Sequence, residues 1–293
     1  MTVRPVRLAA PPGYDFAWIT GFLAPRAVPS IERVTDDAFV RVVRLPEHGP
    51  ARLTVRATGG ALRATSMPTL PPVIVREAVT RMLDVGDDVT RFRAHVARDP
   101  LLGPIVARHA AVRLPQLLDP FEGLVRAMLG QQVSVRAAST IADRLVRLLG
   151  EPLAGAADDE PRLVFPSAAA VAEASVDALR ALGIPRTRAA SLQACAAAVR
   201  DGHVRWDALR ALPPDEAQRA LDALPGVGPW TASYVRMRAL GDRDAFPAAD
   251  LGVVKALARL GVAAADAERA AERWRPWRGY ATVFLWASLS DPD

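Results

Sequence analysis

Cysteine, histidine and lysine are scarce in this chain. The one cysteine, Cys195, sits in the Ala-rich run SLQACAAAV. A single thiol makes no internal disulfide and excludes a cysteine-based zinc or iron–sulfur site. The four histidines, His48, His95, His109 and His203, are scattered without the spacing of metal ligands. All but one of the 37 basic residues are arginine, so Lys255 is the only side chain with a primary amine. No apolar run approaches the roughly twenty residues of a membrane span. The start, MTVRPVRLAAPPGYDFAW, lacks the apolar core of a secretory signal. The expectation is a cytoplasmic protein with no membrane contact, and a monomer by default.

What is present is enough for two or three packed units: 293 residues, 51% of them hydrophobic. A net charge of +5 suits a polyanionic partner, though only weakly. Residues 1–90 alternate short β-branched segments, VRPVRL, IERVT, AFVRVVRL, ARLTVRAT and ALRAT, with turn residues, as an antiparallel sheet does. PPVIVREAVTRMLDVG reads as a helix with Pro72 near its start and Gly86 just past its end. Beyond residue 90 the strand signal fades. DPFEGLVRAMLG, VSVRAASTIADRLVRLLG, TRAASLQACAAAVRDG and LPPDEAQRALDAL read as helices closed by glycine or turn residues. GEPLAGAADDEPRLVFP reads as a polar loop, and SAAAVAEASVDALRALG as one helix capped by Ser167 and stopped by Gly183. The fold class expected is α+β: an antiparallel sheet unit with helices, then two mainly helical subdomains.

The stretch 221–250, LDALPGVGPWTASYVRMRALGDRDAFPAAD, concentrates the functional signal. One helix runs into Pro225-Gly226-Val227-Gly228, and Pro229 suits the first turn of the next. The free N–H groups of Gly226, Gly228 and the helix start would make an anion site suited to a phosphodiester, to which Thr231 could add a hydroxyl. An ordinary αα-hairpin with a glycine turn reads the same residues. Asp250 precedes an apolar helical run, where a helix N-cap is the plain reading. Asp242 and Asp244, in the charged loop GDRD, read as solvated.

LPGVG followed by a helix, with Asp250 twenty-two residues beyond Gly228, resembles the helix-hairpin-helix/Gly-Pro-Asp superfamily of DNA base-excision glycosylases. PPGYDFAWITGFLAPRAV, FEGLVRAMLGQQVSV and ERWRPWRGYATVFLW each resemble the bacterial 3-methyladenine-DNA glycosylase II (AlkA-type) family, in the same order. The resemblance covers nearly the whole chain. It implies an N-terminal domain over 1–90, one helical subdomain from 91–119 plus 243–293, and a second over 120–242 with its hairpin at about 212–240.

The resemblance also assigns residues. Asp250 matches the catalytic aspartate, and a carboxylate below the sugar would stabilise the oxocarbenium-like state of N-glycosidic cleavage or activate water. Members that also cut the strand carry a Lys where this chain has Trp230. Trp has no nucleophilic amine, so a monofunctional, water-using glycosylase is implied. Trp230 and Tyr234, four apart on one helix, with Trp286 and Phe22, would wall a pocket for electron-poor alkylated bases. Leu251 stands where some members carry Tyr. Gln132, with Gln131 beside it, matches the side chain that fills the gap left by the flipped nucleotide, where the best-known pattern has Leu. Carbonyls of Asp222, Leu224 and Val227 match a structural monovalent-cation site for Na+ or K+. No cofactor is required, and the partner implied is damaged double-stranded DNA. Trp18, Trp206, Trp274 and Trp277 read as core, and Lys255 as a surface cation. A glycosylase for deaminated or oxidised bases, a non-catalytic damage-binding protein and a protein-interaction module are the other readings of these residues.

Overall fold

The protein is described by a computed structural model over residues 4–45, 47–86, 88–156 and 161–291. Its N-terminal part is a five-stranded antiparallel sheet in the order β1-β5-β4-β3-β2, formed by Val6–Ala9, Glu32–Val34, Ala38–Leu45, Gly49–Thr58 and Ala61–Met67, β1 to β5 in chain order. In β4 the side chains of Ala51, Leu53 and Val55 are buried, while Arg52, Thr54 and Arg56 point away, the period-two pattern of a half-buried strand. Helices α1 (Phe16–Leu23) and α2 (Pro72–Leu83) cover the apolar face through Phe16, Ile19, Val75, Val79 and Met82. β3 is buried on both faces, because its Val42 joins the apolar cluster of the helical part.

The end of α2 differs from the sequence expectation. The helix stops at Leu83, and Asp84, not Gly86, takes the left-handed turn, with φ of 51°. A non-glycine residue tolerates this conformation when its side chain is tied down. The buried Asp84 carboxylate accepts hydrogen bonds from the Tyr280 hydroxyl (2.8 Å) and the Leu114 N–H (2.9 Å).

The helical part follows. α3 (Asp88–Val96) and α4 (Leu102–Arg108) precede α5 (Pro120–Leu129) and α6 (Val135–Leu149), capped by Asp119 and Ser134. The stretch beyond α6, expected as a polar loop, contains a short two-stranded ribbon, β6 (Glu151–Pro152) with β7 (Leu163–Val164); residues 157–160 of that stretch lie outside the described residues. The expected helix after Ser167 is two, α7 (Ala168–Glu173) and α8 (Val176–Ala181). Ser175 caps the second by accepting the Ala178 N–H, and a side chain competing for the backbone in this way interrupts a helix. α9 (Arg186–Arg200), α10 (Trp206–Ala211), α11 (Pro214–Asp222) and α12 (Pro229–Val235) follow, the last running on into a π-helical stretch, Arg236–Leu240. α13 (Leu251–Arg259), α14 (Ala267–Ala271) and α15 (Arg278–Ser288) complete the order. One apolar cluster joins α5, α6, α9 and α12; another joins α3, α4, α13 and α15 around Trp274, Tyr280 and Phe284. Tyr234 packs against both, which places α12 at the seam. The α+β architecture expected from sequence is the one observed.

A buried charge cluster ties the sheet to α5. Arg41 on β3 pairs with Glu32 and, at 2.6 Å, with Glu122 of α5; Arg126 reaches Glu122 at 3.0 Å. Burial pushes Glu122 up, but Arg41 and Arg126 outweigh it and hold the carboxyl below its ordinary range. A depressed carboxyl stabilises the fold above the unfolded glutamate pKa, and this is lost as pH falls through the folded value. Glu122→Ala leaves the buried Arg41 and Arg126 guanidiniums only Glu32 to share and should lower stability by about 3 kcal/mol, measured by denaturant unfolding at neutral pH. A change below about 1 kcal/mol would show that the cluster is well hydrated.

Candidate active site and nucleic-acid interface

The α11–α12 hairpin is held from behind by α9. Gly226 has φ of +73°, and a Cβ there would fall 2.6 Å from Ser191 Cβ, so both turn geometry and close approach demand glycine. The buried Cys195 thiol donates to the Pro225 carbonyl at 3.0 Å. Burial pushes this thiol up to about 12, which suits a packing role. Gln218 braces the two helices: its amide donates to the Asp222 carboxylate and the Pro229 carbonyl, and its Oε1 accepts from Ser233 and Arg236. Gly228 is different. Its φ of −105° suits any residue, and the space beside its Cα is open for 4 Å. Among the described residues, no acceptor is found for the amide of Gly226 or Gly228. The turn therefore presents free donors and a bare Cα to whatever approaches from outside.

Asp250 does what its plain reading requires and more. As N-cap of α13 its Oδ1 accepts the N–H groups of Gly252 (2.9 Å) and Val253 (3.1 Å). The same oxygen accepts the indole N–H of Trp286 at 2.8 Å, and Oδ2 accepts that of Trp230 at 2.9 Å. Four donors from three elements fix the carboxylate's plane. Oδ2, with one donor, keeps free lone pairs. Gly252 makes the arrangement possible, because a Cβ there would lie 2.8 Å from Trp286 Cδ1. Sequence reasoning missed Gly252; the signal was a glycine in the first turn of an otherwise strong helix, where it costs stability.

The carboxylate faces a cavity of about 1210 Å³ between the helical units, lined by Trp230, Tyr234, Trp286, Gln131, Gln132 and Arg238 among others. Trp230 and Tyr234 lie 5.4 Å apart between ring centroids, and Tyr234 and Trp286 6.4 Å. Phe22, expected on a pocket wall, stands one layer back. It stacks on Trp18 at 5.3 Å, and the guanidiniums of Arg26 and Arg238 lie 3.9 and 5.3 Å from its ring. Those arginines, rather than the ring, line the cavity. Leu251, expected as an aliphatic wall, projects from the rim and is 82% exposed. Arg26 and Arg238 carry no distinguishing sequence signal, two arginines among many.

The loop between α5 and α6 approaches the same cavity. Gln131 donates to the Gly226 carbonyl and to Thr231 Oγ1, both at 2.9 Å, and so straps the loop to the hairpin. This corrects two expectations. Thr231 is 2% exposed with its hydroxyl engaged by Gln131 rather than turned to the anion site, and Gln131 is a tether. Gln132 is exposed at the tip with φ of +57°. Holding a side chain in the left-handed region costs about 1 kcal/mol. Gln132→Gly should therefore raise thermal stability slightly while weakening binding to a duplex with an abasic-site analogue several-fold, read by fluorescence anisotropy. Unchanged binding would show that the tip does not enter the DNA stack.

Asp242 and Asp244 are not solvated. Asp242 pairs with Arg236 at 2.5 Å and accepts the Asp244 N–H; Asp244 pairs with Arg275 and Arg278 at 2.6 and 2.8 Å. Asp244 thereby locks the segment leading to Asp250 onto the start of α15, while Asp242 ties it to the π-helical stretch. Lys255 is exposed on α13 and does not line the cavity. Among the described residues no histidine, cysteine or carboxylate cluster could hold a metal, and no helix is long and apolar enough to cross a membrane.

A helical hairpin with free amides, beside an aspartate capping the helix that follows it, defines a recognised class. Residues 125–278 match the HhH-GPD superfamily of base excision DNA repair proteins, and residues 5–119 match the AlkA N-terminal domain. The chain belongs to the HhH-GPD superfamily, in the branch that carries the AlkA N-terminal domain. It is 34% identical over 279 residues to DNA-3-methyladenine glycosylase 2 of Escherichia coli, covering 94% of each chain. It is 37% identical over 295 residues to a probable bifunctional transcriptional activator/DNA repair enzyme AlkA of Mycobacterium tuberculosis, covering 98% of this chain but 57% of that one. The chain thus spans just over half the length of the mycobacterial relatives. In fold it is similar to a 3-methyladenine DNA-glycosylase from Archaeoglobus fulgidus, with a TM-score of 0.81, 22% identity and coverage of 96% and 97%. A Clostridium acetobutylicum 8-oxoguanine glycosylase/lyase bound to DNA also gives 0.81, at 18% identity, with coverage of 98% and 95%.

Proposed function

We propose that the chain is a monofunctional DNA glycosylase. It flips an alkylated base of the 3-methyladenine or 7-methylguanine type out of duplex DNA and hydrolyses its N-glycosidic bond, in base excision repair. It acts as a cytoplasmic monomer. The observation that carries this reading is the Asp250 carboxylate, fixed by four donors on the wall of an aromatic cavity beside a hairpin with free amides. Gly226 and Gly228 bring those amides against a phosphate, which sets the register of the strand. Gln132 fills the vacated stack. The flipped base lies against Trp230, Tyr234 and Trp286, and an electron-poor base is favoured by such faces.

As the bond between C1′ and the base nitrogen lengthens, its electron pair leaves with the base and positive charge grows on the deoxyribose. Asp250 meets that charge at short range in a site partly shielded from water. Water then bonds to C1′ and loses its proton towards Oδ2, the oxygen with lone pairs to spare. An abasic site remains.

Among the described residues no amine is placed to form a Schiff base: Trp230 occupies the hairpin position and Lys255 lies outside the cavity. Borohydride added during turnover should therefore trap no protein–DNA adduct, and the strand should stay uncut until alkali is added. A trapped adduct, or strand cleavage without alkali, would overturn the monofunctional assignment. No cofactor enters this chemistry. The Leu224 carbonyl accepts one N–H, from Val227, and no partner is found for the carbonyls of Asp222 and Val227 among the described residues. These carbonyls would hold a structural Na+ or K+, which would supply positive charge beside the phosphate-binding turn.

A further inference from the structure

The cavity contains a group that binding of a cationic base does not explain. Arg238, in the π-helical stretch, is 4% exposed, and its Nε and Nη1 are buried without partners. No acceptor for any of its nitrogens is found among the described residues. Its guanidinium rests against two ring faces, Phe22 at 5.3 Å and Tyr234 at 5.8 Å, which leaves its N–H edge uncommitted. Arg26 stands beside it with one nitrogen donating to the Phe22 carbonyl at 2.8 Å. Burial, and next the charge of Arg238, brings Arg26 down to about 10. A guanidinium stays charged at neutral pH, and a buried charge without hydrogen-bond partners is costly to keep. Beside the aromatic faces, two guanidiniums lining one cavity offer hydrogen-bond donors and positive charge to a base with an electron-rich edge.

We propose that Arg238 is a leaving-group residue for neutral damaged bases: it donates a hydrogen bond to the acceptor edge of a flipped purine carrying a ring carbonyl, and stabilises that base as it departs with negative charge. This rests on the glycosylase reading above. A base alkylated at a ring nitrogen is already cationic and leaves neutral when it takes the electron pair of the C1′–N bond. A neutral base taking the same pair leaves as an anion, its charge shared between ring nitrogens and carbonyl oxygen, and later takes up a proton from solvent. Water supplies the hydroxyl at C1′ in both cases. The guanidinium therefore lowers the barrier for the neutral class alone, while Asp250 serves both. Residue 238 lies in the π-helical turn, an irregularity found often at functional sites, and lines the cavity.

The test compares single-turnover release of hypoxanthine and of 7-methylguanine from otherwise identical duplexes, by the full chain and by its Arg238→Met and Arg238→Lys variants. Folding is checked by circular dichroism, and affinity by binding to an abasic-site analogue, which has no base for Arg238 to touch. Arg238→Met should slow hypoxanthine release by about 30-fold, the scale of one lost hydrogen bond to a charged group, and 7-methylguanine release by less than about threefold. Arg238→Lys, which keeps the charge, should recover part of the hypoxanthine rate. If Arg238→Met fails to fold, the lysine variant alone must show the same selectivity with a smaller loss. Equal losses on both bases, or none on either, would overturn the proposal and make Arg238 a packing residue. Wild-type release of 7-methylguanine without hypoxanthine would overturn it too and leave the glycosylase reading intact. Release of neither base would sink both.

Discussion

Asp250→Asn should release alkylated bases about 10³-fold more slowly than the wild-type chain, the scale set by removing a preorganised electrostatic stabiliser. Its unfolding temperature should scarcely change. Asparagine is as good an N-cap as aspartate, so the oxygen kept at the Oδ1 position still accepts from Gly252, Val253 and Trp286. The amide nitrogen then stands in place of Oδ2, donor against donor with the Trp230 indole, and no negative charge faces the sugar. The separation of activity from stability is the informative part. A variant that lost stability as well would mean that the hydrogen bond from Trp230 is a structural tie, so that the rate loss would not report the chemistry alone. A variant with near wild-type rate would show that another group carries the reaction. Single-turnover base release and a thermal melt on the same preparation distinguish these results.

Substitutions at the two hairpin glycines should differ in kind. Gly228→Val adds a side chain to open space at a φ that valine adopts readily, so the fold should be unaffected. That side chain occupies the approach to the free amides, and losing hydrogen bonds to a phosphate weakens binding by about 10- to 100-fold. Gly226→Val instead meets Ser191 and requires a left-handed valine, so stability should fall along with binding. The measurement is DNA affinity by anisotropy at fixed salt, beside a melt for each variant. Gly228→Val binding with wild-type affinity would contradict the assignment of the hairpin as the phosphate grip. It would leave the turn as no more than a helix connection.

The parts of this molecule that local pattern governs were legible in its sequence. The five strands followed from β-branched segments between turn residues, and strand β4 alternates in burial as its residues do. Trp230 and Tyr234 were placed on one helix face by a spacing of four, and their rings lie 5.4 Å apart. The parts set by distant partners were not legible. Asp84 takes a left-handed turn because Tyr280, 196 residues away, supplies a hydroxyl; nothing near Asp84 signals that. Asp244 looks solvated in GDRD and becomes ion-paired only when Arg275 and Arg278, just before and at the start of α15, are brought to it, whereas Asp242 pairs with the nearby Arg236. Ser175 was a local signal that went unread beneath an Ala-rich helical pattern.

The site divides along the same line. The hairpin turn and its two glycines are contiguous, so their pattern is local. The convergence of Trp230, Asp250 and Trp286 spans three helices, and only resemblance to a family suggested it. Arg26 and Arg238 were invisible because a chain whose basic residues are nearly all arginine gives no single arginine prominence. Phe22 was assigned to the pocket by family likeness, and the two guanidiniums in front of its ring are what the cavity meets instead.

The most direct test of the central claim is chromatography of the bases freed from methylated duplex DNA by the purified chain. The account predicts release of 3-methyladenine or 7-methylguanine as free bases, leaving alkali-labile abasic sites in an otherwise intact strand. Tight binding to the same DNA with no free base in the supernatant would contradict it, and would make the Asp250 site a clamp rather than a catalyst.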